Sequence, residues 1–144
     1  MKVTYIQHSG FAVEMEDKVL IFDYYRGELP VFGRDRDVYV FVNHKHYDHY
    51  QRSIFTWTGK FPRITYILSS DVEEAVPSSA PKDNMYFMEP GETLQIKAGE
   101  SELLIETLRS TDEGVAFVVK TAGHTIYHAG DLFDFKHLLF NNRR

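Results

Sequence analysis

The stretch Asp37-Val-Tyr-Val-Phe-Val-Asn-His-Lys-His-Tyr-Asp-His49 decides the fold that we expect for this chain. Its first part, Asp37 to Val42, is a short continuous apolar run, which is typical of a buried strand. Three imidazoles and a carboxylate follow this run directly. The sequence therefore predicts a buried strand that leads into a metal-binding loop.

The candidate metal ligands are His44, His46, Asp48 and His49. Two histidines two residues apart can converge on one ion when the loop curls, and Asp48 with His49 can then face a second ion. The pattern His-x-His-x-Asp-His is expected by chance in on the order of one chain in a thousand of this composition. The alternative is a solvated polar turn, but no structural need calls for three clustered histidines.

The composition sets limits on the class of protein. The chain has 144 residues, of which 43% are hydrophobic, enough for one domain with a real core. It has no cysteine, so any transition-metal site must use imidazole and carboxylate. A net charge of -5 without a basic stripe argues against nucleic acid as a partner. We find no signal peptide or membrane span in the sequence, which favours a cytoplasmic protein.

Short strands dominate the rest of the predicted secondary structure. Two brief helices are expected at Tyr50–Thr58 and Val72–Val76, the second capped by Ser70 or Asp71. Many strands and few helices indicate an α/β or α+β layered sheet. The predicted strands are Val3–Gln7, Phe11–Met15, Val19–Tyr25, Asp37–Val42, Ile64–Leu68, Met85–Met88, Thr93–Ile96, Glu102–Leu108, Gly114–Lys120 and Thr125–His128.

The histidine pattern after a buried strand resembles the signature of the metallo-β-lactamase superfamily. Two further motifs, His8-Ser9-Gly10-Phe11 and Tyr127-His128-Ala129-Gly130-Asp131, resemble the branch related to ascorbate-phosphate lactonases. The early aspartate of the family corresponds to Asp23, which closes the run VLIFDYY. The resemblance implies that Asp23 orients the histidine loop by hydrogen bonding; the alternative is a surface turn acid.

The resemblance also implies how the site would work. His44 and His46 would hold one ion and Asp48 with His49 the other, while Asp131 would bridge the two; otherwise Asp131 is a helix cap or turn acid. The ions would be Zn(II), with Mn(II) or Fe(II) as alternatives. A metal-activated water would attack an ester, lactone or phosphoester, and Asp48 is the candidate catalytic residue that positions this water or relays its proton.

One departure from the family pattern concerns a ligand. The family supplies another metal-binding histidine roughly twenty residues before the late aspartate, and this chain has none there. Asp112 could provide an oxygen ligand in its place, or Ser110 could hold a water. The alternative for Asp112 is a turn residue before the strand at Gly114.

The second departure concerns length. The family folds as a four-layer αββα sandwich of two similar halves, so we expect residues 1–144 to form one incomplete domain that lacks most of its C-terminal half. The ending, from Leu132 to Arg144, has apolar residues spaced like one amphipathic helix. Because uncovered apolar surface and free strand edges are unstable in water, we expect a homo-oligomer that covers the open sheet.

Two functions remain open from the sequence. One is a metal-dependent hydrolase acting on a small-molecule substrate, and the other is an inactive relic or binding module with a partial metal site. Metal content and turnover would distinguish them. Of the other histidines, His8 is expected at the rim of the site, His124 and His137 in solvent, and His128 in packing contacts.

Overall fold

The computed structural model describes residues 1–33, 35–98, 101–110, 114–129 and the backbone of 138–142. These residues form two β-sheets. The six strands of the first sheet, in spatial order, are β1 (Lys2–Tyr5), β2 (Phe11–Glu14), β3 (Lys18–Phe22), β4 (Asp37–Val42), β5 (Ile64–Ser69) and β6 (Met85–Met88). The second sheet contains β7 (Thr93–Ala98), β8 (Ser101–Arg109), β9 (Val115–Thr121), β10 (His124–His128) and β11 (Leu138–Asn142), in the order β11-β10-β9-β8-β7.

Strands β3 to β6 run parallel to one another, whereas β2 is antiparallel to both of its neighbours, β1 and β3. The carboxyl ends of β3, β4 and β5 consequently meet at one edge of the first sheet. Asp23 follows β3 and Asn43 follows β4 at this edge. Ligand sites of open parallel sheets lie at the carboxyl ends of the strands, so the topology places the histidine loop where a site is expected.

The central strands β3 and β4 are buried on both faces, as a continuous apolar run predicts. One face packs against the second sheet: Phe41 stacks on Phe22 with ring centroids 4.6 Å apart and meets the ring of Phe117 edge-on at 5.2 Å. The opposite face packs under a second apolar cluster that includes Ile54 and Trp57. Strand β4, which leads into the histidine loop, is therefore packed on one face against the second sheet and on the other against this cluster.

The helical segments are short 3₁₀ helices at Arg52–Gly59 and Ser70–Ala75. The first begins two residues later than predicted, and its aromatic and β-branched residues are poor α-helix formers. The predicted cap of the second is wrong, because Ser69 is the N-cap residue. Pairing of Ser69 with Met88 keeps the chain extended up to that point.

The prediction of an amphipathic helix in the C-terminal tail is wrong for residues 138–142. Their backbone forms β11, antiparallel to β10, with Leu139 opposite Tyr127. Without β11, one edge of β10 would expose unpaired backbone N–H and C=O groups. Hydrogen bonding to this edge stabilises a strand here more than the helical spacing of the apolar side chains stabilises a helix. His137 and the remainder of the tail lie outside the described residues.

Two stacked sheets with few helices confirm the predicted layered architecture. None of the described helices is long and apolar enough to cross a membrane.

Candidate metal centre

Contacts from both sheets hold the start of the histidine loop. The backbone N–H of Asn43 donates to Oδ1 of Asp23 at 2.7 Å, and its carbonyl accepts from the N–H of Val115 at 2.9 Å. Asp23 directly follows β3 of the first sheet, and Val115 is the first residue of β9 in the second. The position of the loop thus depends on how the two sheets pack.

The loop curls so that its three imidazoles cluster. The N–H of His49 donates to the carbonyl of His46 at 3.0 Å, which closes a turn. The ring of His44 lies 4.5 Å from that of His46 and 4.0 Å from that of His49, centroid to centroid. His44 and His49 are buried and His46 is half-buried. The structure therefore brings the three imidazoles of the loop together; that His44 and His46 share one ion stays a prediction.

Asp23 lies buried beneath the cluster, with a backbone φ of 47°. Its Oδ2 is 2.6 Å from Nδ1 of His49. An ionised carboxylate can only accept, so we assign the proton to Nδ1, which leaves a lone pair on Nε2 of His49. A carboxylate behind a histidine in this way is the usual support of a metal-binding imidazole. The structure thus shows the hydrogen bond that the resemblance implied for Asp23.

Asp48 lies on the solvent side of the cluster. Its side chain is 37% exposed, and Oδ2 is 3.6 Å from Nε2 of His49. Lys45 points away from the cluster, since its ammonium pairs with Glu74 and its N–H donates to Asp71 at 3.1 Å. The ammonium of Lys45 is thus engaged by a carboxylate outside the histidine cluster.

The residues present fit a transition-metal ion in their chemistry, since imidazole and carboxylate donors suit Zn(II), Mn(II) or Fe(II). Within the described ranges, however, no group of three or more His, Asp or Glu side chains is arranged so that it could hold a metal ion. A complete coordination sphere needs further donors. The predicted donors Asp112 and Asp131 both lie outside the described residues and stay predictions.

Two residues of the site were not recognised from the sequence. Asn43 donates from Nδ2 to the carbonyls of Val115 at 2.6 Å and His128 at 3.2 Å. His128 packs against Phe22, as expected, and its Nδ1 also lies 2.7 Å from Oδ1 of Asn43, a contact that was not predicted. The signal in the sequence that could have identified them is a polar residue at the end of an apolar strand, as Asn43 is after β4 and His128 is in β10.

Aromatic side chains flank the loop on its exposed side. Tyr47 is 72% exposed, and its ring lies 5.7 Å from that of Tyr25. His8 is exposed and meets Tyr25 edge-on at 5.1 Å, which agrees with its predicted place at the rim. These three rings thus form an aromatic group beside the loop.

We expect Asp23→Asn to weaken metal binding by about 10- to 100-fold, the range for loss of an outer hydrogen-bond partner. The new amide N–H₂ would face Nδ1 of His49 and move the ring proton to Nε2. Competition with a chromophoric chelator measures the effect. Asp37→Asn is the matched control. Asp37 pairs with Arg63 at the amino end of β4, whereas the histidine loop follows the carboxyl end. Equal affinities of the two variants would contradict the assigned role of Asp23.

Comparison with known families identifies the superfamily of the chain. A profile of the β-lactamase superfamily domain matches residues 2–141. The chain belongs to the metallo-β-lactamase superfamily. A related sequence is a UPF0173 metal-dependent hydrolase from Pyrobaculum islandicum, 29% identical over 94% of this chain and 64% of its own length. The narrower resemblance to ascorbate-phosphate lactonases stays a prediction.

Two solved structures share the fold. Igni18, a metallo hydrolase from Ignicoccus hospitalis, matches with a TM-score of 0.61 and 18% identity over 90% of this chain and 60% of its own. CmlA, a diiron β-hydroxylase from Streptomyces venezuelae, matches with a TM-score of 0.59 and 13% identity over 93% of this chain and 30% of its own. The chain thus spans less than two thirds of the length of each of these proteins.

Proposed function

We propose that this chain is a metal-dependent hydrolase that directs water at an ester, lactone or phosphoester of a small molecule. The observation that carries the proposal is the cluster of His44, His46 and His49 with the carboxylate of Asp23 behind it. The name of the Pyrobaculum islandicum relative, a metal-dependent hydrolase, supports metal-dependent hydrolysis without indicating a substrate.

Each residue of the loop has a role in this proposal. His44 and His46 would hold one ion and Asp48 with His49 the other, while Asp131 and Asp112 would supply the remaining oxygen donors. A bound cation, which we propose to be Zn(II), with Mn(II) or Fe(II) as alternatives, supplies Lewis acidity that polarises the substrate oxygen and makes water a nucleophile near neutral pH.

The chain's own groups then orient the reactants. Asp48 is partly exposed and adjoins His49, so it can position the attacking water and accept its proton. Asp23 keeps the ring of His49 in one orientation and tautomer. The exposed ring of Tyr47, next to Asp48 in the chain, offers an apolar surface for the substrate.

The alternative function is an inactive relic or a binding module that retains a partial metal site. One observation favours it: although three imidazoles cluster, no group of three or more His, Asp or Glu side chains among the described residues is arranged so that it could hold a metal ion. We propose, with either function, that two copies of the chain pair. The outer face of the second sheet, which is directed away from the first sheet, carries the apolar residues Leu104, Leu108 and Val118, and Leu108 is 48% exposed.

The test is to purify the chain without chelators, measure its metal content by elemental analysis, and screen lactone, ester and phosphodiester hydrolysis. We expect at least one transition-metal ion per chain and turnover that a chelator abolishes and the metal restores. Stoichiometric metal without turnover would favour the binding module. Neither metal nor turnover, even after metal is added, would favour the relic.

A further inference from the structure

His128 lies at the end of β10, buried between the two sheets. Its ring stacks on Phe22 with centroids 4.9 Å apart and an interplanar angle of 22°. Phe11 meets the same ring nearly edge-on at 5.9 Å. A polar ring in such apolar surroundings is stable only if its nitrogens are hydrogen-bonded.

Both ring nitrogens face oxygen atoms. Nδ1 is 2.7 Å from Oδ1 of Asn43, and Nε2 is 3.0 Å from the carbonyl oxygen of Ser9. The amide orientation of Asn43 is set independently, because its Nδ2 donates to the carbonyls of Val115 and His128. A carbonyl oxygen can only accept, so both nitrogens of His128 must donate. A histidine that donates twice is an imidazolium cation.

A buried cation needs a counter-charge, since an isolated charge is costly in a low-dielectric interior. Oδ2 of Asp23 lies 4.0 Å from Nδ1 of His128. The same oxygen is 2.6 Å from Nδ1 of His49. Asp23 therefore lies between a histidine of the second sheet and a histidine of the metal-binding loop.

We infer that His128 is a buried imidazolium that positions the loop from the second sheet, orienting Asn43 and acting as the counter-ion of Asp23. The inference rests on the proposed metal centre for its consequence, because the Asp23 carboxylate directs the lone pair of His49 at the ion. Its geometry rests on contacts that do not involve the ion. His128 is thus a positioning residue that does not touch substrate.

The first measurement is nitrogen-15 NMR of the imidazoles in the metal-free chain near neutral pH. We expect both nitrogens of His128 to be protonated and His49 to carry its proton on Nδ1. A neutral His128 would overturn the inference. This readout needs neither bound metal nor activity, so it stands even if the proposed hydrolase function fails.

The second measurement compares His128→Gln with His124→Gln, which removes a half-buried histidine from the opposite end of the same strand. We expect His128→Gln to shift the His49 proton from Nδ1 and to weaken Zn(II) binding by about 10- to 100-fold. His124→Gln should change neither. An unchanged His49 tautomer in a folded His128→Gln variant would overturn the inference. If that variant does not fold, the spectrum of the unaltered chain still decides the protonation state.

Discussion

Gly114→Ala is expected to destabilise the chain by about 3 kcal/mol or more, because two costs add. A Cβ atom at this position would lie 1.9 Å from the carbonyl oxygen of Asn43 and 2.6 Å from Cβ of His44. The backbone φ of +83° is also unfavourable for any residue with a side chain. Thermal unfolding should show a fall in Tm of roughly 10 °C for a chain of this size.

Gly91→Ala is the matched control for this variant. Gly91 has nearly the same φ, +84°, but nothing lies within 4 Å of the added Cβ. It should therefore cost only the backbone strain, about 1 kcal/mol. The difference between the two Tm values isolates the clash with the histidine loop. Equal losses would show that the segment at Gly114 does not press against Asn43 as the structure has it.

His46→Ala should reduce metal affinity by more than about 100-fold and abolish turnover. Loss of an outer partner alone costs roughly 10- to 100-fold, and a direct ligand contributes more. Elemental analysis and chelator competition measure the loss of metal, and the hydrolysis screen measures turnover. Stability should change little, because the side chain of His46 is only half-buried.

His8→Ala is the control for His46→Ala, because His8 is an exposed histidine near the same loop. We expect it to retain stoichiometric metal. If His46→Ala also retained full metal content, the proposed ligand set would be wrong. If only turnover were lost, His46 would act on the substrate instead of the ion.

The strand β4 was predicted with the bounds that the structure shows, Asp37–Val42. It is buried on both faces by neighbours in both layers, so its apolar run has no polar interruption that could blur its ends. The prediction for the C-terminal tail was wrong because its structure depends on a neighbouring strand. Its spacing suits a helix, and only the open edge of β10 makes residues 138–142 a strand, which local sequence does not encode.

The clustering of the three imidazoles was predictable because His44, His46 and His49 lie close together in the sequence. The supporting contact of Asp23 with His49 was accessible only through the family resemblance, since the two residues are 26 positions apart. The contact between Asn43 and His128 spans 85 positions and depends on the docking of the two sheets. No periodicity or motif contains that information.

Two hydrogen bonds join Asn43 and Val115, one between their backbones and one from the side-chain amide of Asn43, and they have a thermodynamic consequence. They join the end of one sheet's central strand to the beginning of a strand in the other, next to the first histidine of the loop. A cation that binds only the assembled loop would therefore stabilise the whole sandwich by mass action. Local opening between the layers, conversely, would release the ion before the chain unfolds completely.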